Sequence, residues 1–290
     1  MENEFVTPNG RDTHAVIATP RRRPSNIWLI IVAALFIIVP FLTWYLTWFG
    51  RSLSDDKIAV YLADEKHPRN IQHALAQIEA RMEKNDASVK KFYPRIIELT
   101  KSSNTEVRKT VAWVMGQDNT SDEFHRALLS LLGDSEPLVR RNAALQLVRF
   151  TDASGQRDAS GRPELRAMLQ PFEAKSPIAG TLVSILPVGS EVHAGSLLAR
   201  IRDSSANLQE FRAAVDGKIA SVALKEGDSV SARQTIASLT TDEASVRAAL
   251  GALAYVGISE DLSLVEGFTL SQNAETTAQA AAAAKAIRSR

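Results

Sequence analysis

The sequence of 290 residues contains no cysteine. This absence excludes disulfide bonds, a thiolate nucleophile and any zinc or iron–sulfur site built from cysteine. Charge of either sign is also not in excess: 34 basic and 33 acidic residues give a net charge of +1, too little to hold a nucleic-acid backbone by bulk charge. A hydrophobic content of 45% is nevertheless enough for packed cores, and the length suggests about two domains.

Charged residues are missing from one long segment, residues 24–50. A bilayer is crossed by about 20 apolar residues, so we expect a transmembrane helix over residues 27–49. The alternative, a cleaved signal peptide, would have a shorter apolar region and a small-residue cleavage site. Aromatic residues near both ends fit the two headgroup levels, and a proline is tolerated within the span. The residues expected to form this anchor are Trp28, Pro40, Trp44, Tyr45 and Trp48.

Basic residues flank this segment unequally, with Arg21, Arg22 and Arg23 before it and Arg51 directly after it. The positive-inside rule therefore predicts a flexible cytoplasmic tail over residues 1–26 and translocation of the remainder. We expect a single-pass protein of the inner (cytoplasmic) membrane, with most of the chain in the periplasm of a bacterium with two membranes.

Helical periodicity dominates residues 52–170, and a short pattern recurs within them. An acidic or polar turn is followed by Val-Arg and small apolar residues, at Val107-Arg108, at Val139-Arg140 and again at Val246-Arg247. This pattern resembles HEAT repeats, in which helix pairs stack into one continuous core. An ordinary helix bundle is the alternative. Residues 242–290 return to the same pattern, but the sequence leaves open whether they stack on the first solenoid.

The resemblance to HEAT repeats also implies a structural ladder, in which a turn acid and an arginine join neighbouring repeats. Asp134 with Arg140 and Asp242 with Arg247 are the candidate pairs, and Arg108 occupies the same motif position.

Strand-like runs broken by glycine occupy residues 172–241 and form two similar halves. Gly180 and Gly217 correspond, as do Val192 and Val230. The paired motifs resemble the biotinyl/lipoyl fold, a flattened barrel of two interlocked halves. The resemblance implies that a carrier lysine would lie in the hairpin between the halves. This sequence has Ser204, Ser205 and Ala206 there, so we expect no attached biotin or lipoate.

No catalytic motif is recognisable, and the histidines lack metal-ligand spacing, so neither an enzyme nor a metal site is expected. The predicted fold class is α+β: a transmembrane helix, a HEAT-like solenoid, an inserted β barrel and C-terminal HEAT-like helices. The predicted function is a non-catalytic scaffold or accessory subunit that binds a membrane or periplasmic protein complex, with no nucleic acid or small-molecule substrate. The alternatives are a periplasmic adaptor of an export system and a cofactor carrier. An adaptor would need a long helical hairpin between the two β halves, for which about a dozen residues are too few.

Overall fold

The protein is described by a computed structural model over residues 27–44 and 52–290. The chain divides into two units, one up to residue 52 and one over Leu53–Arg290. The first unit contributes a single described helix, α1 (Ile27–Trp44).

Helix α1 corrects the transmembrane prediction. Among the described residues, no helix has both the length and the apolar character needed to cross a bilayer. Helix α1 has 18 residues, which at 1.5 Å each extend about 27 Å, against about 30 Å for a hydrocarbon core. The predicted span over 27–49 is therefore wrong, as is the single-pass inner-membrane location derived from it. Of the predicted anchor and topology residues, Trp28, Pro40 and Trp44 lie in α1, whereas Arg21, Arg22, Arg23, Tyr45 and Trp48 lie outside the described residues.

The second unit is built on ten α-helices and four short 3₁₀ segments among its described residues. The helices are α2 (Asp55–Ala63), α3 (Pro68–Met82), α4 (Tyr93–Glu98), α5 (Thr105–Met115), α6 (Asp122–Leu131), α7 (Pro137–Leu147), α8 (Arg162–Met168), α9 (Glu243–Val256), α10 (Leu262–Gly267) and α11 (Ala274–Arg288). The 3₁₀ segments are Ala87–Phe92, Leu99–Lys101, Ser259–Asp261 and Phe268–Leu270.

These helices pack as five consecutive pairs, α2–α3, α4–α5, α6–α7, α8–α9 and α10–α11. The second helices of the pairs also contact each other in the order α3, α5, α7, α9 and α11. Side-chain caps begin several of them: Asn104 accepts the amides of Glu106 and Val107, and Asn273 does the same for Glu275 and Thr276. These caps fix where α5 and α11 start.

The β domain is inserted between α8 and α9, the two helices of the fourth pair. One buried cluster contains Ala144 of α7, Leu165 of α8, Leu250 of α9 and Ala284 of α11. Leu132 packs against this cluster and against the core of the preceding helices. The C-terminal helices therefore stack on the earlier ones, and the solenoid continues past the insertion.

The inserted domain has eight strands in two antiparallel sheets. The strands are β1 (Phe172–Lys175), β2 (Gly180–Ile185), β3 (Glu191–Val192), β4 (Leu197–Arg202), β5 (Leu208–Arg212), β6 (Gly217–Val222), β7 (Ser229–Val230) and β8 (Thr235–Thr241). One sheet has the order β1-β8-β6-β3 and the other β5-β4-β2-β7. Exchanging the first four strands with the last four converts one order into the other, so the two halves are interlocked and related by internal symmetry.

The glycines predicted to correspond explain how the halves interlock. Gly180 pairs with Val230 and Gly217 pairs with Val192, and each sheet combines two strands from each half. A Cβ at Gly180 would lie 2.2 Å from the Arg202 carbonyl oxygen, and one at Gly217 would lie 2.1 Å from that of Thr240. Only glycine permits these two equivalent close approaches.

Candidate functional site

The ladder residues join neighbouring repeats through Arg108. Its Nε and Nη2 donate to the two carboxylate oxygens of Asp134 at 2.7 and 2.9 Å, and its Nη1 donates to the Ser102 carbonyl oxygen at 2.9 Å. The Arg108 and Asp134 side chains are only 12% and 8% exposed. Burial raises the pKa of Asp134, but the hydrogen bonds from Arg108 and the Glu136 amide outweigh it, and the net shift is downward. This bidentate pair fixes the second repeat to the third.

The structure assigns Arg140 a different acid from the one expected. Its Nη1 donates to the carbonyl oxygens of Asp134 and Ser135, and its Nε donates to Glu164 of α8 at 2.9 Å. Asp134 lies two residues before the N-cap of α7, and the equivalent position before α9 is Thr240, in strand β8. The insertion therefore replaces the turn acid that Arg140 would use, and Glu164 takes that place.

The second candidate pair, Asp242 with Arg247, is not formed either: the two side chains have different partners. Asp242 caps α9 by accepting the Ser245 amide at 2.9 Å. Arg247 instead has its Nε 3.5 Å from Glu275, in the first turn of α11. Arg108, Arg140 and Arg247 thus each contact an acid of the following repeat, so the ladder always runs forward along the chain.

The hairpin that would present a carrier lysine is a short exposed turn over residues 203–207. The Asp203 carboxylate accepts the amides of Ser205 and Asn207, and Ala206 has a φ of 68°. Ser204, Ser205 and Ala206 thus form the tip, and no amine is present there. The halves are joined by this turn alone, without a helical hairpin.

A groove that sequence reasoning missed lies along the connections between repeats. One cavity of about 290 Å³ lies between the connections at 83–92 and 116–121. A second, of about 810 Å³, lies between 116–121 and 148–161, and both are lined by Asn119 and Thr120. We call the two adjoining cavities the loop-edge groove.

The loop-edge groove is lined by carboxylates that accept hydrogen bonds from neutral donors. Asp118 accepts the Tyr93 hydroxyl at 2.7 Å and the Thr120 hydroxyl at 2.6 Å. Burial raises the pKa of Asp118, yet these hydrogen bonds lower it below its usual value overall. Asp152 accepts the Ser154 hydroxyl at 2.6 Å, and its pKa is lowered chiefly by that bond. Both side chains are therefore ionised at neutral pH.

A histidine–aspartate pair closes one wall of the groove. His125 Nε2 lies 2.5 Å from the Asp158 carboxylate, and the imidazole stacks on Phe150 at 5.0 Å between ring centroids. The two residues are separated by 33 positions, close to the repeat spacing, so the period could have linked them. Over residues 27–44 and 52–290, no serine or threonine hydroxyl is hydrogen-bonded to His125, and no three metal-ligating side chains cluster. The pair joins α6 to the 148–161 connection.

The comparisons with known proteins match part of this architecture. Residues 93–171 match the family model of HEAT repeats. The helical part of this protein contains HEAT repeats. This confirms the prediction from the Val-Arg pattern for the segment from α4 to the end of α8. No curated protein matches the chain.

Two solved structures are similar to the chain at low identity. One is described as a single-chain, multi-domain long-chain acyl-CoA carboxylase, with 19% identity, 26% of this chain and 8% of that chain covered, and a TM-score of 0.24. The chain thus spans less than a tenth of that protein. The other is an engineered protein, with 14% identity, 80% and 79% of the two chains covered, and a TM-score of 0.41.

Proposed function

We propose that this protein is a non-catalytic scaffold whose HEAT-repeat solenoid binds a partner protein. HEAT repeats generally mediate protein–protein interactions, through the extended surfaces that stacked repeats create. The observation that carries the proposal is the continuity of the stack: five helix pairs share packed cores on both sides of the β insertion. Such an array is a rigid platform, and the β domain adds a second surface beside it.

Site-specific crosslinking of the full chain tests the scaffold proposal. A photoreactive residue is placed at exposed Ala80 of α3 or Arg126 of α6 to report on the solenoid, and in a separate variant at Glu226 to report on the β domain. We expect one partner to crosslink at the solenoid positions in native extracts and to co-sediment with the protein. Sedimentation of the protein alone, with no crosslink at either solenoid position, contradicts the proposal.

A second candidate function is a cofactor carrier of the biotinyl/lipoyl type. The cross-half pairs Gly180–Val230 and Gly217–Val192 favour that fold for the inserted domain, whereas the tip at 203–207 offers no lysine. Intact mass measurement of the protein from its native source separates the two candidates. A covalent biotin or lipoyl adduct supports a carrier, and an unmodified mass leaves the β domain as an interaction module.

A further inference from the structure

We propose that the loop-edge groove binds an extended segment of the partner protein that carries lysine or arginine side chains. This inference rests on the proposed scaffold function and specifies which surface is used and what chemistry it recognises. The groove is negatively charged, has an apolar wall and crosses three connections between repeats.

The charge of the groove is negative. Five aspartates line it against two cations, namely Asp86, Asp118, Asp122, Asp152 and Asp158 against Lys90 and Arg157. Asp86 is neutralised by Arg81, and Asp158 faces His125. Asp118, Asp122 and Asp152 make no ion pair among the described residues.

The two cations do not cancel this charge. Arg157 donates to the Val148 carbonyl oxygen at 2.9 Å and lies over the Tyr255 ring, 4.4 Å from its centroid. Its guanidinium is therefore held toward the protein. The charge of Lys90 lowers the pKa of Asp118, so this cation partly offsets that carboxylate. The negative charges of Asp122 and Asp152, at the wider end of the groove, are not offset by Lys90. A cationic ligand fits this field, and a phosphate backbone does not.

The wider cavity combines this charge with an apolar wall. Leu129 and Phe150 line it together with the amide side chains of Asn119 and Gln156. Asn119 donates its Nδ2 to the Arg149 carbonyl oxygen at 2.8 Å, which holds the side chain at the junction of the two cavities. Apolar surface with side-chain amides suits the stem of a lysine or arginine and the peptide groups beside it.

The groove crosses three consecutive connections between repeats, which are two repeat spacings. Packed helices lie about 8–10 Å apart, so the groove extends roughly 20 Å. An extended chain advances about 3.3 Å per residue, and about six residues therefore fill it. An extended segment of this length fits the groove. Its alternate side chains would face the carboxylates along one wall.

Fluorescence anisotropy with two labelled octapeptides tests the proposal on the full-length protein. One peptide alternates lysine with alanine, and the other alternates glutamate with alanine. The test variant carries Asp122→Asn and Asp152→Asn, which keep the side-chain oxygen acceptors. The matched control carries Glu226→Gln and Glu260→Gln, two exposed acids outside the groove without ion pairs among the described residues.

We expect the lysine peptide to bind and the test variant to weaken it about three- to tenfold, as two exposed ion pairs would. The control variant should change affinity less than twofold. Equal weakening by both variants, or equal binding of the glutamate peptide, overturns the groove proposal. A partner that still crosslinks at Ala80 and Arg126 in that case leaves the scaffold function standing.

Discussion

We expect substitution of Arg141 by methionine to stabilise the protein. Arg141 lies in α7 and is 5% exposed, and its Nη1 has no hydrogen-bond partner among the described residues. Leu138, one turn earlier in the same helix, packs against the core of the inserted β domain. The β domain thus packs on α7 one turn away from a buried guanidinium nitrogen that lacks a hydrogen-bond partner among the described residues.

The size of the effect follows from the surroundings of Arg141. The pKa of Arg141 is lowered, chiefly by burial and to a smaller extent by the neighbouring charge of Arg140. The carboxylates of Asp242, Glu164 and Asp216 raise it, but by less. Its removal leaves no acid without a partner, because Asp242 keeps the Ser245 amide and Glu164 keeps Arg140. Replacing buried charge by an apolar side chain of similar volume stabilises proteins by up to about 1–4 kcal/mol. We therefore expect a gain of about 1–3 kcal/mol, or about 2–4 °C in Tm for each kcal/mol.

The adjacent residue provides the control with the opposite sign. Arg140 donates to Glu164 and to the Asp134 carbonyl oxygen, both at 2.9 Å. Arg140→Met removes these charge-assisted bonds and should cost about 1–3 kcal/mol. Urea unfolding of both variants at pH 7, followed by circular dichroism, gives the two free energies of unfolding. If Arg141→Met destabilises the protein as much as Arg140→Met does, then Arg141 is paired in solution and the reasoning is refuted.

Three further outcomes are expected. Arg233 has a φ of 65° where the equivalent residue of the other half is Gly195 with a φ of 83°, so Arg233→Gly should raise the free energy of unfolding by about 0.5 kcal/mol, measured by thermal unfolding. Gly180→Ala should lower it by about 1–3 kcal/mol, because the new Cβ would lie 2.2 Å from a backbone oxygen, and a Tm above that of the parent protein would contradict this. The pKa of Asp134 is lowered in the folded protein, so its carboxylate contributes stability above about pH 4, and this stability is lost as the pH falls through the folded-state pKa. Asp134→Asn should therefore lower the free energy of unfolding at pH 7 but much less at pH 3. An equal loss at both pH values would refute the role of the charge.

The helical repeats were predictable because their signals are local. The Val-Arg pair begins three residues after the N-cap in α5 and α7 and four residues after it in α9, so similar residues recur at corresponding positions. The two β halves were recognisable for the same reason, since Gly180 and Gly217 are each required by one close contact with a backbone oxygen. Each of these positions is determined by neighbours in its own segment or its symmetric copy.

The ladder partners and the groove depend instead on which segments meet. Arg140 and Glu164 are joined by the fold of α8, and no motif marks Glu164. His125 lies in α6 and Asp158 in the 148–161 connection, and although their separation of 33 residues is close to the repeat spacing, neither residue belongs to a motif that marks the pair. The membrane prediction is wrong because no helix among residues 27–44 and 52–290 is both long enough and apolar enough to cross a bilayer.

The β insertion accounts for most of the departures from a regular repeat. It removes the turn acid before α9, so Arg140 pairs with Glu164 of α8. It also places Thr241 at the junction with α9, where the hydroxyl oxygen is buried without a hydrogen-bond partner among the described residues, as is Arg141 Nη1. Buried polar atoms without hydrogen-bond partners lower the free energy of unfolding, and a regular repeat would not contain them. The packing of the β domain against the helices therefore includes two unpaired buried polar atoms, one in α7 and one just before α9, and Arg141→Met is expected to remove the first of these costs.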